Sequence, residues 1–269
     1  AGVTYYYCVI SFSSSGGCSV ISTNATAITV LAAPTLNAMS NQVYCHTNTV
    51  PSTAFNGNYP SGMSYSWSLS GQTIGLTPTS GSGSSIPAFT ASNTGTTPLV
   101  ATVNVTPSYT ITSVNSGGSL TCGGTATTAF IFTINPIPNM PAFNPQLFVF
   151  CEDDQALVPF SANITTGMTF DWTNDNTQIG VAATGTSTSP GLSFTAVNNL
   201  SNPNQPLTSN FYVTPVYTNQ GLSCPGTAEF FAITVNPKPD VNPVADTTLC
   251  ATTTGYNQYS SFNPINGPG

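Results

Sequence analysis

The chain has 269 residues, 39% of them hydrophobic, yet only 3% are charged, and the net charge at neutral pH is −7. With Lys238 as its single basic residue besides one histidine, it cannot neutralise a row of phosphates, which excludes nucleic-acid binding. With so few charges, solubility and surface chemistry rest on Ser, Thr, Asn and Gln, and no apolar run approaches the roughly 18 residues of a membrane-spanning helix.

In chain order, "TYYYCVI" and "ATAITVLAAP" within residues 1–33 read as the last two strands of a preceding domain, joined through "SSSGG". "MSYSWSLS" (63–70) then puts Met63, Tyr65, Trp67 and Leu69 on one side of an extended chain and four serines on the other. A two-residue period marks a strand with one face on a core and one in water. "LVATVNVTP" (99–107) and "AFIFTINP" (129–136) are further strands, and "GSGSS" and "NSGG" between them supply turn chemistry. No stretch carries a helical apolar period.

The pattern then returns. Cys45 recurs 106 residues later at Cys151, Trp67 after 105 at Trp172 in "MTFDWT", and Phe89 after 105 at Phe194. Thr106-Pro107 recurs at Thr214-Pro215, Cys122 at Cys224 and Asn135-Pro136 at Asn236-Pro237. The organisation predicted is the end of one domain at 1–33, complete units at 34–138 and 139–239, and the beginning of another at 240–269, where Cys250 takes the opening position. Several short strands per hundred residues with a central Trp and a Cys pair predict tandem β-sandwiches, with Trp67 and Trp172 in the inter-sheet cores. The junctions "NPIPNMP" and "NPKPDVNP" carry alternating prolines and read as short, semi-rigid spacers.

Seven cysteines without a C-x-x-C spacing predict disulfides and an oxidising, extracellular setting rather than zinc or a redox dithiol. The repeat suggests Cys45 with Cys122, Cys151 with Cys224 and a hairpin staple from Cys8 to Cys18, leaving Cys250 to a partner outside the chain.

The unit-opening Cys45 and Cys151, the strand Trp67 and Trp172 followed by "IGL" and "IGV", and "FTA" at Phe89 and Phe194 form an ordered set with "VTP" at 105–107 and 213–215. With the late Cys122 and Cys224 and the closing "INPIP" and "VNPKP", that set resembles the PKD-like and immunoglobulin-like repeats of very large cell-surface proteins of gliding and predatory Bacteroidota, exported by type IX secretion. The resemblance implies a structural segment of an adhesin or filamentous appendage, a stiff stalk displayed outside the cell. Its partners would be copies of itself in a fibre and, through other parts of the protein, surface or glycan targets.

Chemistry is sparse. His46 is the only histidine, no G-x-S-x-G elbow occurs, and the expectation is a protein without catalytic residues or cofactor. Glu152, Asp153 and Asp154, with Asp171 or Asp175, are the one set of oxygens suited to calcium, against the plainer reading of a solvated loop. Asp246-Thr247-Thr248 is similar to the O-glycosylation acceptor motif of Bacteroidota, with Thr247 as the modified residue. The alternative function, a carbohydrate-binding array of a secreted polysaccharide-degrading enzyme, requires exposed aromatic platforms beside Asn and Asp.

Overall fold

The computed structural model describes residues 2–6, 9–10, 21–22, 26–112, 119–188, 191–198 and 205–239. Four short strands come first, β1 (Gly2–Tyr6), β2 (Val9–Ile10), β3 (Ile21–Ser22) and β4 (Thr26–Val30), nested as antiparallel pairs of β1 with β4 and β2 with β3. Cys8, Cys18, Thr247 and Cys250 lie outside the described residues.

Next come β5 (Gln42–Cys45), β6 (Thr49–Val50), β7 (Thr53–Ala54), β8 (Met63–Gly71), β9 (Ser80–Gly83), β10 (Ser85–Ile86), β11 (Phe89–Thr90), β12 (Leu99–Thr112), β13 (Ser119–Gly123) and β14 (Thr127–Asn135). The main sheet runs β5-β14-β12-β8-β9, with β13 continuing beside β12, and the opposite layer consists of the short pairs β6–β11 and β7–β10. The pattern repeats with β15 (Leu147–Cys151), β16 (Gln155–Pro159), β17 (Met168–Asn174), β18 (Thr184–Ser187), β19 (Gly191–Thr195), β20 (Leu207–Asn219), β21 (Leu222–Pro225) and β22 (Glu229–Asn236). Here the sheet is β15-β22-β20-β17-β18, with β21 on β20 and β16–β19 opposite. The fold is all-β, a tandem of immunoglobulin-like sandwiches. In each, the first strand of the main sheet lies parallel to the last, β5 on β14 and β15 on β22, whereas the other pairings are antiparallel.

Apolar alternation decides which faces meet. Tyr65 and Trp67 on β8 are buried while Ser64, Ser66 and Ser68 are exposed. They join Val50, Ile86, Val103, Phe130 and Phe132 in one core. A second core gathers Val158, Phe170, Trp172, Leu192, Phe211, Val213 and Phe231. Trp67 and Trp172 are only 5% and 8% exposed. Each indole lies against a glycine of the edge strand, Gly81 and Gly185, where an added Cβ would come within 2.8 and 2.3 Å of the ring.

The repeated "VTP" has a structural cause. Strand β12 pairs with β14 from Leu99 to Val105 and with β13 from Ser108 to Thr112, so Pro107, which lacks an N–H, falls between the two partners. Pro215 sits in the same gap of β20, between its pairing with β22 up to Val213 and with β21 from Val216.

Candidate functional site

Each sandwich begins on a tight turn after its first cysteine. At Cys45 the amide donates to Asn48 Oδ1 (2.9 Å), and the Asn48 amide returns to the Cys45 carbonyl (3.1 Å). At Cys151 the amide donates to Asp154 Oδ2 (2.7 Å) and the Asp154 amide to the Cys151 carbonyl (3.1 Å). Thr47 and Asp153 have left-handed φ values of 67° and 72° in these turns. The His46 and Glu152 amides each donate to the last asparagine of the sheet, at the Asn135 and Asn236 carbonyls, both at 2.9 Å. The two turns therefore hold their cysteines alike.

Each late cysteine sits in the hairpin at the other end of its sheet. Cys122 stands opposite Tyr109, and Cys224 opposite Tyr217. Just beyond, Gly124 and Gly226 donate to the Pro107 and Pro215 carbonyls, both at 2.8 Å. An added Cβ on Gly124 would lie 2.3 Å from the Pro34 carbonyl, and one on Gly226 2.2 Å from that of Pro138, so these glycines let the entering chain pass close by.

This geometry corrects the cysteine pairing expected from the sequence. Cys45 adjoins the Asn135 end of β14, where Ile134 meets Leu99, whereas Cys122 meets Tyr109 of the same strand β12. Ten residues of extended chain separate Leu99 from Tyr109, about 33 Å at about 3.3 Å per residue, while a disulfide needs Cα atoms within about 7 Å. Leu207 and Tyr217 separate Cys151 from Cys224 in the same way. Neither Cys45–Cys122 nor Cys151–Cys224 forms.

Cys45 is instead bonded to Cys224 of the following sandwich, with a Cα–Cα distance of 5.6 Å and a sequence separation of 179. Cys122 and Cys151 are free thiols. Around the bond, Asn135 Nδ2 donates to the Asn219 carbonyl (3.2 Å) and Asn219 Nδ2 donates back to Asn135 Oδ1 (2.9 Å). Asn135, Cys224, Pro136 and Pro138 are all buried there. A pair of fully made amide hydrogen bonds fixes the angle at which the two ends meet, and the disulfide holds them together.

The remaining residues singled out from sequence have local tasks. His46 Nδ1 accepts from the Asn93 amide (3.1 Å), and the Asn93 side chain, 2% exposed, donates to the Thr97 and Ile134 carbonyls. Asn198 bonds the Gln205 and Val235 carbonyls in the second sandwich in the same manner. Asp153 pairs with Lys238 (3.0 Å), and Glu152 Oε2 accepts from the Lys238 amide (3.3 Å). Asp171 accepts from Thr186 Oγ1 (2.7 Å). Asp175 accepts from the Asn210 amide and side chain, both at 2.7 Å, and from Ser209 Oγ; these bonds hold its carboxyl below the usual carboxylate range. Among the described residues no three His, Cys, Asp or Glu side chains gather as a metal site, and Asp171 and Asp175 do not join Glu152, Asp153 and Asp154.

One surface hollow, about 370 Å³, lies over the second indole and is lined by Asp171, Trp172, Gly185, Thr186, Tyr212 and Thr214. Tyr212 is 55% exposed. The corresponding hollow of the first sandwich has Ser66, Gly81, Asn104 and Thr106 around Trp67 and no exposed ring.

Comparison with known proteins gives structural likeness alone. No family model matches the chain, and no curated protein does. Among solved structures it is similar to the titin domains I67–I69, at 11% identity and a TM-score of 0.41, over 80% of this chain and 71% of that one. It is also similar to Sidekick-1 immunoglobulin domains 1–4, at 14% identity and a TM-score of 0.36, over 76% of this chain and 49% of that one. Drosophila N-cadherin EC1-4 matches at 12% identity and a TM-score of 0.33, over 81% of this chain and 53% of that one.

Proposed function

We propose that this chain is a stiff segment of an extracellular stalk, in an adhesin or filamentous surface appendage of the type IX-secreted kind that its repeats resemble. The observation that carries this reading is the Cys45–Cys224 bond across the junction, reinforced by the reciprocal Asn135 and Asn219 pair. A flexible linker would leave two beads free to swing, whereas a covalent staple beside two buried prolines resists bending. A persistent disulfide also supports an oxidising compartment outside the cytosol.

The staple has a mechanical consequence. Tension applied at the two termini passes through the disulfide, and the 179-residue separation it closes is shielded from extension. Single-molecule pulling should therefore show a gain of about 600 Å in contour length on reduction, at about 3.4 Å per residue. Equal lengths before and after reduction would remove the mechanical role.

Self-association into a fibre fits the same reading. Edge strand β15 presents Leu147 and Val149, 49% and 55% exposed, on a surface with few charges to keep copies apart. A protein that remains monomeric in sedimentation runs at high concentration would argue against it. A second reading, glycan binding, is favoured by Tyr212 beside Asp171; retention on a glycan column that is lost in Tyr212→Ala would support it.

A further inference from the structure

Among the described residues, the two free thiols, Cys122 and Cys151, occupy the positions of the two bonded ones. Cys151 ends β15 as Cys45 ends β5, and Cys122 stands opposite Tyr109 as Cys224 stands opposite Tyr217. Their surroundings differ in cover, and in the Cys122 hairpin Ile111 stands where Asn219 stands in the Cys224 hairpin. At the formed junction Cys45, Cys224, Asn135, Pro136, Pro138 and Tyr217 are buried. Their counterparts are open to varying degrees: Cys151 and Pro239 are exposed, and Cys122, Asn236, Pro237 and Tyr109 are half-buried. The Cys151 end, with Asn236 in the place of Asn135, thus repeats one half of the junction without its cover, and the Cys122 end repeats the cysteine and tyrosine of the other half.

We infer that Cys151 and Cys122 are the open halves of a recurring head-to-tail staple, in which the opening cysteine of each sandwich bonds the late cysteine of the next. Cys151 takes the late cysteine of a following unit of the same repeat, and Cys122 the opening cysteine of a preceding one. The inference rests on reading the chain as part of a longer array. The occupant is argued from the formed junction itself, since only a unit carrying a β20–β21 type hairpin offers a cysteine and an amide in the places of Cys224 and Asn219. The ten-residue span from Leu207 to Tyr217 keeps Cys151 from reaching Cys224 of its own sandwich, so the bond must cross a junction.

Formation is a two-electron oxidation by thiol–disulfide exchange with an oxidised dithiol, such as that of a periplasmic or secretory oxidoreductase. The Cys151 thiolate attacks one sulfur of that disulfide, and the other sulfur leaves as a thiolate. The partner cysteine, deprotonated, then displaces the first sulfur from the mixed disulfide. One new bond forms, the oxidant is reduced to two thiols, and the two protons released by the cysteines are taken up by them.

The test uses the full chain with a second copy of residues 139–239 inserted directly after Pro239. The inserted copy carries Cys151→Ser, to remove its own opening thiol, and Ser223→Thr, to give its Cys224 peptide a distinct mass. The protein is oxidised with glutathione disulfide, and disulfide-linked peptides are mapped after proteolysis. The expected result is loss of the Cys151 thiol and recovery of Cys151 joined to the mass-shifted Cys224 peptide, with Cys45 joined to the unshifted one. Replacing the first Cys151 by Ser should restore a thiol at the inserted Cys224 without touching the Cys45 pair. If Cys151 stays a thiol while Cys45–Cys224 forms in the same molecule, recurrence is overturned and the stalk reading stands. If neither bond forms, both fall.

Discussion

Cys45 and Cys224, the opening cysteine of one sandwich and the late cysteine of the next, are covalently joined although 179 residues apart. The bond closes a loop containing most of both sandwiches, so it couples their unfolding as well as their orientation. In the chain-entropy model a loop of this length stabilises the folded tandem by about 5 kcal/mol. Replacing both cysteines by serine should turn one cooperative denaturant transition into two, with the combined stability lower by up to that amount. Small-angle scattering should show a larger radius of gyration for the variant, and unchanged transitions would mean that the two sandwiches are already independent.

The tight turn at Thr47 offers a separate handle. A β-branched residue at φ 67° is strained, and the equivalent position of the second sandwich holds Asp153 at 72°. The Thr47 side chain is exposed, and the bond from its amide to the Ala91 carbonyl (2.8 Å) needs no particular side chain. Thr47→Asn should therefore stabilise the first sandwich by about 1 kcal/mol, read as a higher denaturation midpoint without a change in slope.

Much of this architecture is legible in the residues themselves. The alternation in "MSYSWSLS" and "MTFDWT" marks β8 and β17 and assigns their buried faces, because a strand half in water has to alternate. The cysteine pairing is not legible from repeat spacing, since Cys45 and Cys122 are close enough in sequence to look like partners within a unit. What separates them is the uninterrupted length of β12, whose course beyond Pro107 is hidden because a proline ordinarily argues against a central strand. The parallel pairing of β5 with β14 is equally hidden in four residues, "QVYC". A signal was present all the same: counting register along a strand running from Leu99 to Tyr109 puts the two cysteines at opposite ends.

The glycine at each indole should be intolerant of substitution. Gly185 lies against Trp172, where a Cβ would sit 2.3 Å from the ring, and the indole Nε1 donates to Ser187 Oγ (3.0 Å) on the same edge strand. Gly185→Ala should displace either the ring or β18, at a cost of about 1–3 kcal/mol. A red shift of the Trp172 emission in a Trp67→Phe background would report the ring moving toward water, and an unshifted spectrum with full stability would show that the edge strand yields freely.

Asp175 sets part of the acid response. Its carboxylate accepts from the Asn210 amide, from the Asn210 side chain and from Ser209, joining the end of β17 to β20, and these bonds depress its folded pKa. A depressed carboxyl contributes stability that is fully present above its unfolded value, about 3.9, and is lost as the pH falls through the folded value. Stability of the second sandwich should thus be flat from this source above about pH 5 and decline below about pH 4. In Asp175→Asn that part of the decline should disappear, so the difference between wild type and variant narrows as acid is added. A gap that stays constant down to pH 2 would mean that the hydrogen bonds to Asp175 do not depend on its charge.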